Sequence, residues 1–276
     1  MQKRIDRSLG CIAAASSVVG ALDAVALVLI LRCWATPEQF GIATLAVWLF
    51  PILDCASELG LTSALIQDET RTPRDESTAF WLGLGVALAC LVVLSVFAPV
   101  LGTAVGQPVV AAMLLAYGGK LAFQNVFQIP MALMRKQLRF GELSVIRIVA
   151  NVAEFAGKVG LAWSGHPVAA FVGGALLRVL VTGIGVQWCS PWRPRLVFDR
   201  TTARRYLAFG AKTSTGQLLY FFYTNVDYPI VGHTFGAAAL GYYRIAYELV
   251  LYPVRYISEV VIQVAFPVFA RLRARR

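Results

Sequence analysis

Charge is scarce in this sequence: Asp, Glu, Lys and Arg make up only 14% of its 276 residues. A soluble domain of ordinary composition has about a quarter of its residues charged, so the composition excludes one. Histidine is almost missing, with only His166 and His233 present. Neither has a Cys or carboxylate at ligand spacing, which removes a His-centred catalytic pair and a metal site. The five cysteines, Cys11, Cys33, Cys55, Cys90 and Cys189, form no CxxC and lie within or at the edges of apolar segments. They read as small hydrophobes rather than a disulfide framework. There is no Asp-x-Asp metal motif and no Gly-rich phosphate loop, so a membrane-embedded glycosyl- or acyltransferase has no chemistry here. No cofactor and no enzymatic activity are expected.

What the sequence has in quantity is apolar runs. The chain is 58% hydrophobic with mean hydropathy +0.67. A bilayer-spanning helix needs about 20 mostly apolar residues, and eight segments qualify: 9–31, 41–66, 79–101, 109–134, 143–164, 167–189, 206–231 and 241–268. The fold class is therefore all-α, a polytopic membrane protein. Lys3, Arg4 and Arg7 before the first segment resemble a secretory leader, but the apolar stretch runs on through Leu31 and seven more follow, which reads as an uncleaved first span.

The net charge of +10 is topological rather than a signature of nucleic-acid binding. Lys and Arg cluster before span one, after spans two, four and six (Arg71, Arg74; Arg135, Lys136, Arg139; Arg193, Arg195, Arg200, Arg204, Arg205) and after span eight, whereas the alternate loops hold only Arg32. This is the positive-inside pattern. It predicts both termini in the cytoplasm, with anionic membrane lipids as the simplest partner of the basic loops. Trp34, Trp163, Trp188 and Trp192 fall near span ends, where interface anchors sit.

Seven bases lie inside the segments: Lys120, Arg147, Lys158, Arg178, Lys212, Arg244 and Arg255. Seven acids accompany them: Asp23, Asp54, Glu58, Glu154, Asp227, Glu248 and Glu259. A charge at the bilayer centre costs about 2.5–3.5 kcal/mol on insertion scales, so as a set they must face one another or a polar cavity. Arg147, Glu154 and Lys158 share one helix face, as do Arg244, Glu248, Arg255 and Glu259; Lys120, Gln124 and Gln128 form a polar stripe. Lys120 and Arg178 are the sharpest cases, each mid-span without an acid one turn away. Asp54 and Glu58, four apart, repel unless a base or a shared proton intervenes. Taken singly, each charge also admits a structural reading, as a snorkelling end residue or a helix-neutralising pair; both stay open.

Residues 10–46 align without gaps on 210–246, matching Gly10 with Gly210, Ile30 with Ile230, Gly41 with Gly241 and Ala46 with Ala246. A parallel repeat of about six spans is a known transporter plan. The expected organisation is a six-helix lobe over 1–190, a basic linker over 191–204, and the first two helices of a second lobe over 205–276. On that plan the reading frame is expected to continue for about four more spans.

An ordered set of stretches carries a family resemblance: Thr36-Pro37-Glu38-Gln39-Phe40-Gly41, Glu58-Leu59-Gly60-Leu61-Thr62-Ser63-Ala64-Leu65-Ile66-Gln67, Ser77-Thr78-Ala79-Phe80-Trp81-Leu82, Arg135-Lys136-Gln137-Leu138-Arg139-Phe140, Ser190-Pro191-Trp192-Arg193-Pro194-Arg195, Asn225-Val226-Asp227, Gly236-Ala237-Ala238-Ala239-Leu240-Gly241-Tyr242-Tyr243 and Phe266-Pro267-Val268-Phe269-Ala270-Arg271-Leu272. Together they resemble the Wzx-type, WzxC-like oligosaccharide flippases of the polysaccharide transporter family. That family sits in the MOP superfamily with the MATE exporters and the lipid II flippase MurJ. The resemblance implies two lobes around a central cavity in a bacterial inner membrane, and alternating access driven by an ion gradient. It implies an undecaprenyl-pyrophosphate-linked oligosaccharide as substrate, polysaccharide polymerase or assembly proteins as partners, and Asn225 and Asp227 as cavity-side polar residues. The bases rest on the residue-level argument: Lys120 and Arg178 are expected to hold the pyrophosphate, Lys158 and Arg255 to assist, Gln124 to bond sugar hydroxyls, and Asp54 with Glu58 to couple an ion. A MATE-like exporter of small molecules, and a non-transporting membrane scaffold of a polysaccharide assembly complex, remain alternatives; a second-lobe chain is a further expected partner.

Overall fold

A computed structural model of the chain describes the backbone of residues 2–68, 71–104 and 106–273, and the side chains of residues 15–68, 71–103 and 106–251. Ten helices follow in order: α1 (Gln2–Cys33), α2 (Pro37–Trp48), α3 (Phe50–Glu58), α4 (Leu61–Gln67), α5 (Pro73–Ala104), α6 (Pro108–Lys136), α7 (Phe140–Trp163), α8 (Pro167–Cys189), α9 (Arg200–Asn225) and α10 (Asp227–Arg273). The described residues contain no strand, so the chain is an all-α polytopic membrane protein. Five stretches, Ala15–Cys33, Pro37–Glu58, Pro73–Thr103, Pro108–Lys136 and Pro167–Cys189, are long and apolar enough to cross a membrane. Val92, Val93, Val96, Phe97 and Val100 stand exposed on α5, an outward face suited to lipid.

The second expected span, which Pro51 interrupts in the sequence, is broken at two places. Segment 41–66 is three short helices. Thr36 caps α2 through a reciprocal capping box with Gln39, and Pro37 starts the helix. A kink at Leu49, followed by Pro51 at the start of α3, makes the first break. Leu59 and Gly60 make the second, both in the left-handed region at φ 44° and 60°. Hydropathy does not register such breaks because the apolar content continues across them. Between the seventh and eighth segments the expected break over 232–240 is present as a kink at Gly236 rather than as a loop, and the helix boundary before it falls earlier. α9 ends at Asn225, α10 starts at Asp227, and Gly236 (φ 85°) interrupts α10. His233, expected in a loop, is helical. The basic linker is also shorter than expected: α9 begins at Arg200, capped by Asp199, so Arg200, Arg204 and Arg205 belong to a helix.

α1 packs on α7, α7 on α8, α8 on α6 and α6 on α5; the broken segment α2–α4 meets α9 and α10. Two glycine crossings make that junction close. A Cβ on Gly210 would stand 1.6 Å from the Leu59 carbonyl oxygen, and one on Gly41 would stand 1.8 Å from that of Ala237.

The loops after α4, α6 and α8 converge on one end of the bundle. There Arg205 Nη2 binds Asp68 Oδ2 at 2.7 Å, Lys136 Nζ donates to the Asp68 carbonyl and Arg71 pairs with Glu76. The strap 190–199 lies over the start of α5: Trp192 Nε1 donates to Glu76, the Arg195 amide to Ser77 Oγ, Trp81 Nε1 to the Arg195 carbonyl, and the Asp199 amide to Thr78 Oγ1. Trp192 is thus tied into the strap instead of standing free as an interface anchor, whereas Trp163 and Trp188 are exposed at their span ends.

Candidate functional site

α7 is long enough to span but carries Arg147, Glu154 and Lys158 on one face. A helix so charged is tolerated in hydrocarbon only if that face is turned inward. Glu154 and Lys158 are turned toward a cavity of about 330 Å³ walled by α1, α2, α3, α6, α7, α8 and α10, and Arg147 toward a second compartment.

Four acids and four bases line this cavity: Asp23, Asp54, Glu154 and Glu248 with Lys120, Lys158, Arg178 and Arg244. They form three groups. Lys120 Nζ lies 2.9 Å from Asp54 Oδ1 and 2.9 Å from the Tyr117 hydroxyl, which itself donates to Asp54 Oδ2. The Tyr117 ring stacks on Phe50 beside Asp54. Lys158 Nζ stands 3.0 Å from Glu154 Oε1 and 3.3 Å from Asp23 Oδ1, and Arg178 Nη1 is 3.2 Å from Glu154 Oε2. Arg244 Nη2 meets Glu248 at 3.6 Å, with its guanidinium over the Phe40 and Tyr228 rings. Gly174 admits this closeness on α8: a Cβ there would lie 2.5 Å from the Lys158 side chain.

The expected residues distribute as follows. Lys120, Arg178, Lys158 and Asp54 meet in the cavity. Lys120 and Arg178 are not without acids, however. The acid comes from another helix, Asp54 on α3 and Glu154 on α7, which spacing along one helix does not reveal. Their accessibilities differ: the Lys120 side chain is 5% exposed and that of Arg178 41%. Glu58 ends α3 and is not in the cavity wall, so the carboxylates expected to share a proton have different surroundings. Gln124 lines a second compartment between α6, α7 and α8.

Asn225 and Asp227 are in neither wall. Asn225 Nδ2 bonds the Phe221 carbonyl and Thr224 Oγ1, while its own carbonyl accepts from Trp48 Nε1 at 2.7 Å. Asp227 accepts from the Tyr243 hydroxyl. The Arg255 side chain lies outside the described residues. Tyr117 was missed entirely; its one sequence signal is its place three residues before Lys120, the same face of α6. Arg244 and Glu248 were legible as a pair but not as members of this site. Among the described residues no cluster of His, Cys, Asp and Glu suits a metal ion, and Cys33, Cys55, Cys90 and Cys189 are free thiols.

The arrangement has several fixed positive groups in a partly dehydrated space, each held by a carboxylate that a more strongly bound anion can displace. Arginine grips a phosphate through two parallel N–H bonds and lysine acts as a point charge.

Comparison with known proteins bears on what such a cavity serves. The sequence profile of a family described as "Polysaccharide biosynthesis protein" matches residues 31–275. The chain is similar to the teichuronic acid biosynthesis protein TuaB of Bacillus subtilis, 30% identical over 78% of this chain and 45% of that protein. It is similar to the lipopolysaccharide biosynthesis protein WzxC of Escherichia coli, 24% identical over 86% of this chain and 48% of that protein. It is also similar to the succinoglycan biosynthesis transport protein ExoT of Rhizobium meliloti, 25% identical over 86% and 48%. The chain spans about half the length of the curated relatives it matches. No solved structure matches.

Proposed function

This chain belongs to the polysaccharide biosynthesis protein family, and from that premise we propose that it serves to flip undecaprenyl-pyrophosphate-linked oligosaccharide units across a bacterial inner membrane. The observation that carries the reading is the set of four bases gathered in one intramembrane cavity. A pyrophosphate bears at least two negative charges and cannot cross hydrocarbon unaided; bases at membrane depth lower that barrier. Arg178, the more exposed, makes first contact, and Lys120, enclosed by Tyr117 and Asp54, receives the anion deeper in the cavity. Lys158 assists through the carboxylate it shares with Arg178. The lipid tail stays in the bilayer and the sugar follows through the polar space. The basic end faces the cytoplasm, in keeping with the alternation of Lys and Arg along the loops.

Alternating access needs a second lobe around the same cavity, and α9 with α10 supplies the first part of it. Ion coupling falls to Asp54, which sits in the cavity wall and binds the transporting lysine. Polysaccharide polymerase or assembly proteins are the partners that receive the flipped unit.

The test is surface polymer in cells whose export depends on this protein. The Lys120→Ala, Arg178→Ala double variant, inserted at the normal level, is expected to cut polymer at least tenfold and to leave carrier-linked units on the cytoplasmic face. Full polymer from that variant rejects the reading. Tight binding of organic cations, with no competition from a pyrophosphate lipid, replaces it with a small-molecule exporter.

A further inference from the structure

Below the charged cavity, toward the basic end, α6, α7 and α8 enclose a second compartment of about 510 Å³. It is built differently from the first. Its charged lining is Arg135, Arg147 and Arg178, and its wall holds no carboxylate among the described residues. Arg178 belongs to both compartments and is the partition between them. Arg135 and Arg147 are in no ion pair among the described residues. Among the described residues Arg147 Nη1 meets only the Ser16 hydroxyl at 3.1 Å, and Arg135 Nη2 only the Met131 sulfur at 3.8 Å. Arg135 and Arg147 are exposed, and Arg178, its side chain 41% exposed, keeps Glu154 as counter-charge; the two unpaired guanidiniums on one wall repel each other, and an anion relieves that repulsion.

A second observation narrows the ligand. Asn151 is 5% exposed and lines the same wall; its Nδ2 donates to the Arg147 carbonyl, while its Oδ1 is buried with no hydrogen-bond partner among the described residues. That atom accepts a hydroxyl hydrogen. A ligand matching both features presents phosphate oxygens to the arginines and a hydroxyl to Asn151.

We propose that this compartment is a receiving site for a lipid-borne phosphate carrying a neighbouring hydroxyl. The site is distinct from the charged cavity and hands its anion on through Arg178. Arg135 stands at the outer end, where α6 reaches the basic face; Arg147 lies one step inward, and Arg178 last. The phosphate is shared by two sources, a phosphatidylglycerol headgroup and a polyprenyl pyrophosphate, the hydroxyl coming from the headgroup glycerol in the first and from the carrier-linked sugar in the second. The hand-over rests on the flippase reading; the binding site does not.

The experiment uses the chain in phosphatidylcholine nanodiscs, titrated with geranyl pyrophosphate, and in discs doped with phosphatidylglycerol. Saturable binding is expected, at least tenfold weaker in Arg147→Gln and partly restored in Arg147→Lys. Arg139→Gln serves as the control, since Arg139 sits at the same end but is paired with Glu142 and outside the compartment. It is expected to bind within twofold of the unsubstituted chain. Equal weakening in Arg147→Gln and Arg139→Gln would mean diffuse attraction to a basic surface and overturns the site, as does the same affinity in Arg147→Gln and the unsubstituted chain. If Arg147→Gln fails to insert, Arg135→Gln carries the same test. Loss of geranyl pyrophosphate binding on adding phosphatidylglycerol assigns the site to a bilayer lipid; binding unchanged by it assigns the site to the polyprenyl carrier. Arg147-dependent binding by a chain that supports no polymer export would sink the flippase reading and leave this site standing.

Discussion

Gly41 and Gly241 lie against each other where α2 crosses α10, in a reciprocal contact. A Cβ on Gly41 would stand 1.8 Å from the Ala237 carbonyl oxygen, and a Cβ on Gly241 would stand 1.8 Å from that of Pro37. Each glycine meets the residue that occupies its partner's position one turn earlier, as a pseudo-two-fold axis requires. Small residues are what let membrane helices approach this closely. Gly41→Ala and Gly241→Ala are each expected to force the helices apart and cost about 1–3 kcal/mol by overpacking. The double variant should cost less than the two singles together, since the first separation makes room for the second methyl. Gly85→Ala is the control, because nothing lies within 4 Å of its added Cβ. Thermal unfolding in detergent checks all four, and equal melting of Gly41→Ala and Gly85→Ala contradicts the crossing.

The Lys120–Asp54 pair is unequal, with Lys120 5% exposed and Asp54 36%. Removing the carboxylate strands an enclosed ammonium; removing the ammonium leaves an acid that water still reaches. Breaking a buried pair from one side costs ~3–5 kcal/mol. Asp54→Asn is therefore expected near the lower end of that range and Lys120→Gln well below it. The Asp54→Asn, Lys120→Gln double variant should recover most of the loss, because Tyr117 can still bond two neutral amides. Chemical denaturation of the four chains gives the order directly, and a larger cost for Lys120→Gln than for Asp54→Asn contradicts it.

At the start of α9 the Asp199 carboxylate accepts the Thr202 hydroxyl and the Thr202 and Thr201 amides. The Thr202 side-chain bond first, then those backbone bonds and Arg74, hold its pKa below the ordinary 3.8. A folded pKa below the unfolded one means stabilisation that is complete above the unfolded value and lost as pH falls through the folded one. The first turn of α9 and the strap leading into it should therefore keep their protection above about pH 5 and lose it below 3.8. Asp199→Asn keeps a capping side chain but should flatten that acid limb. Amide exchange across 195–203 as a function of pH reads it out.

Much of the fold was legible because its signals are local. Apolar run length marked five of the eight expected spans among the described residues, alternating basic loops placed the loops after α4, α6 and α8 at one end, and the gapless echo of residues 10–46 in 210–246 became the Gly41–Gly241 crossing. The break before Pro51 and the one at Gly236, inside the expected gap 232–240, were legible; the left-handed turn at Leu59–Gly60 was not, since it changes backbone direction without changing hydropathy. The site divided along the same line. Lys158 with Glu154, and Arg244 with Glu248, are one turn apart on one helix and could be read as pairs. Asp54 with Lys120, and Arg178 with Glu154, join residues on different helices. Nothing in one sequence states which helices adjoin, so two bases read as unpartnered turned out to be held.

Glu154 is the junction of that arrangement. It is 4% exposed, meets Lys158 at 3.0 Å and Arg178 at 3.2 Å, and Lys158 has Asp23 as a second acid while Arg178 has no other ion-pair partner among the described residues. On the proposed flippase reading, a pyrophosphate entering the cavity competes with Glu154 for Arg178. Removing that competitor should tighten anion binding, and because tighter ground-state binding deepens the well from which transport starts, it should also slow release. Glu154→Gln is expected to bind geranyl pyrophosphate several-fold more tightly than the unsubstituted chain while lowering polymer export. Asp23→Asn should change affinity less, since Lys158 keeps Glu154. Weaker binding in Glu154→Gln would instead mean that the carboxylate positions Arg178 for the anion, a role Glu154→Asp would then be expected to rescue in part.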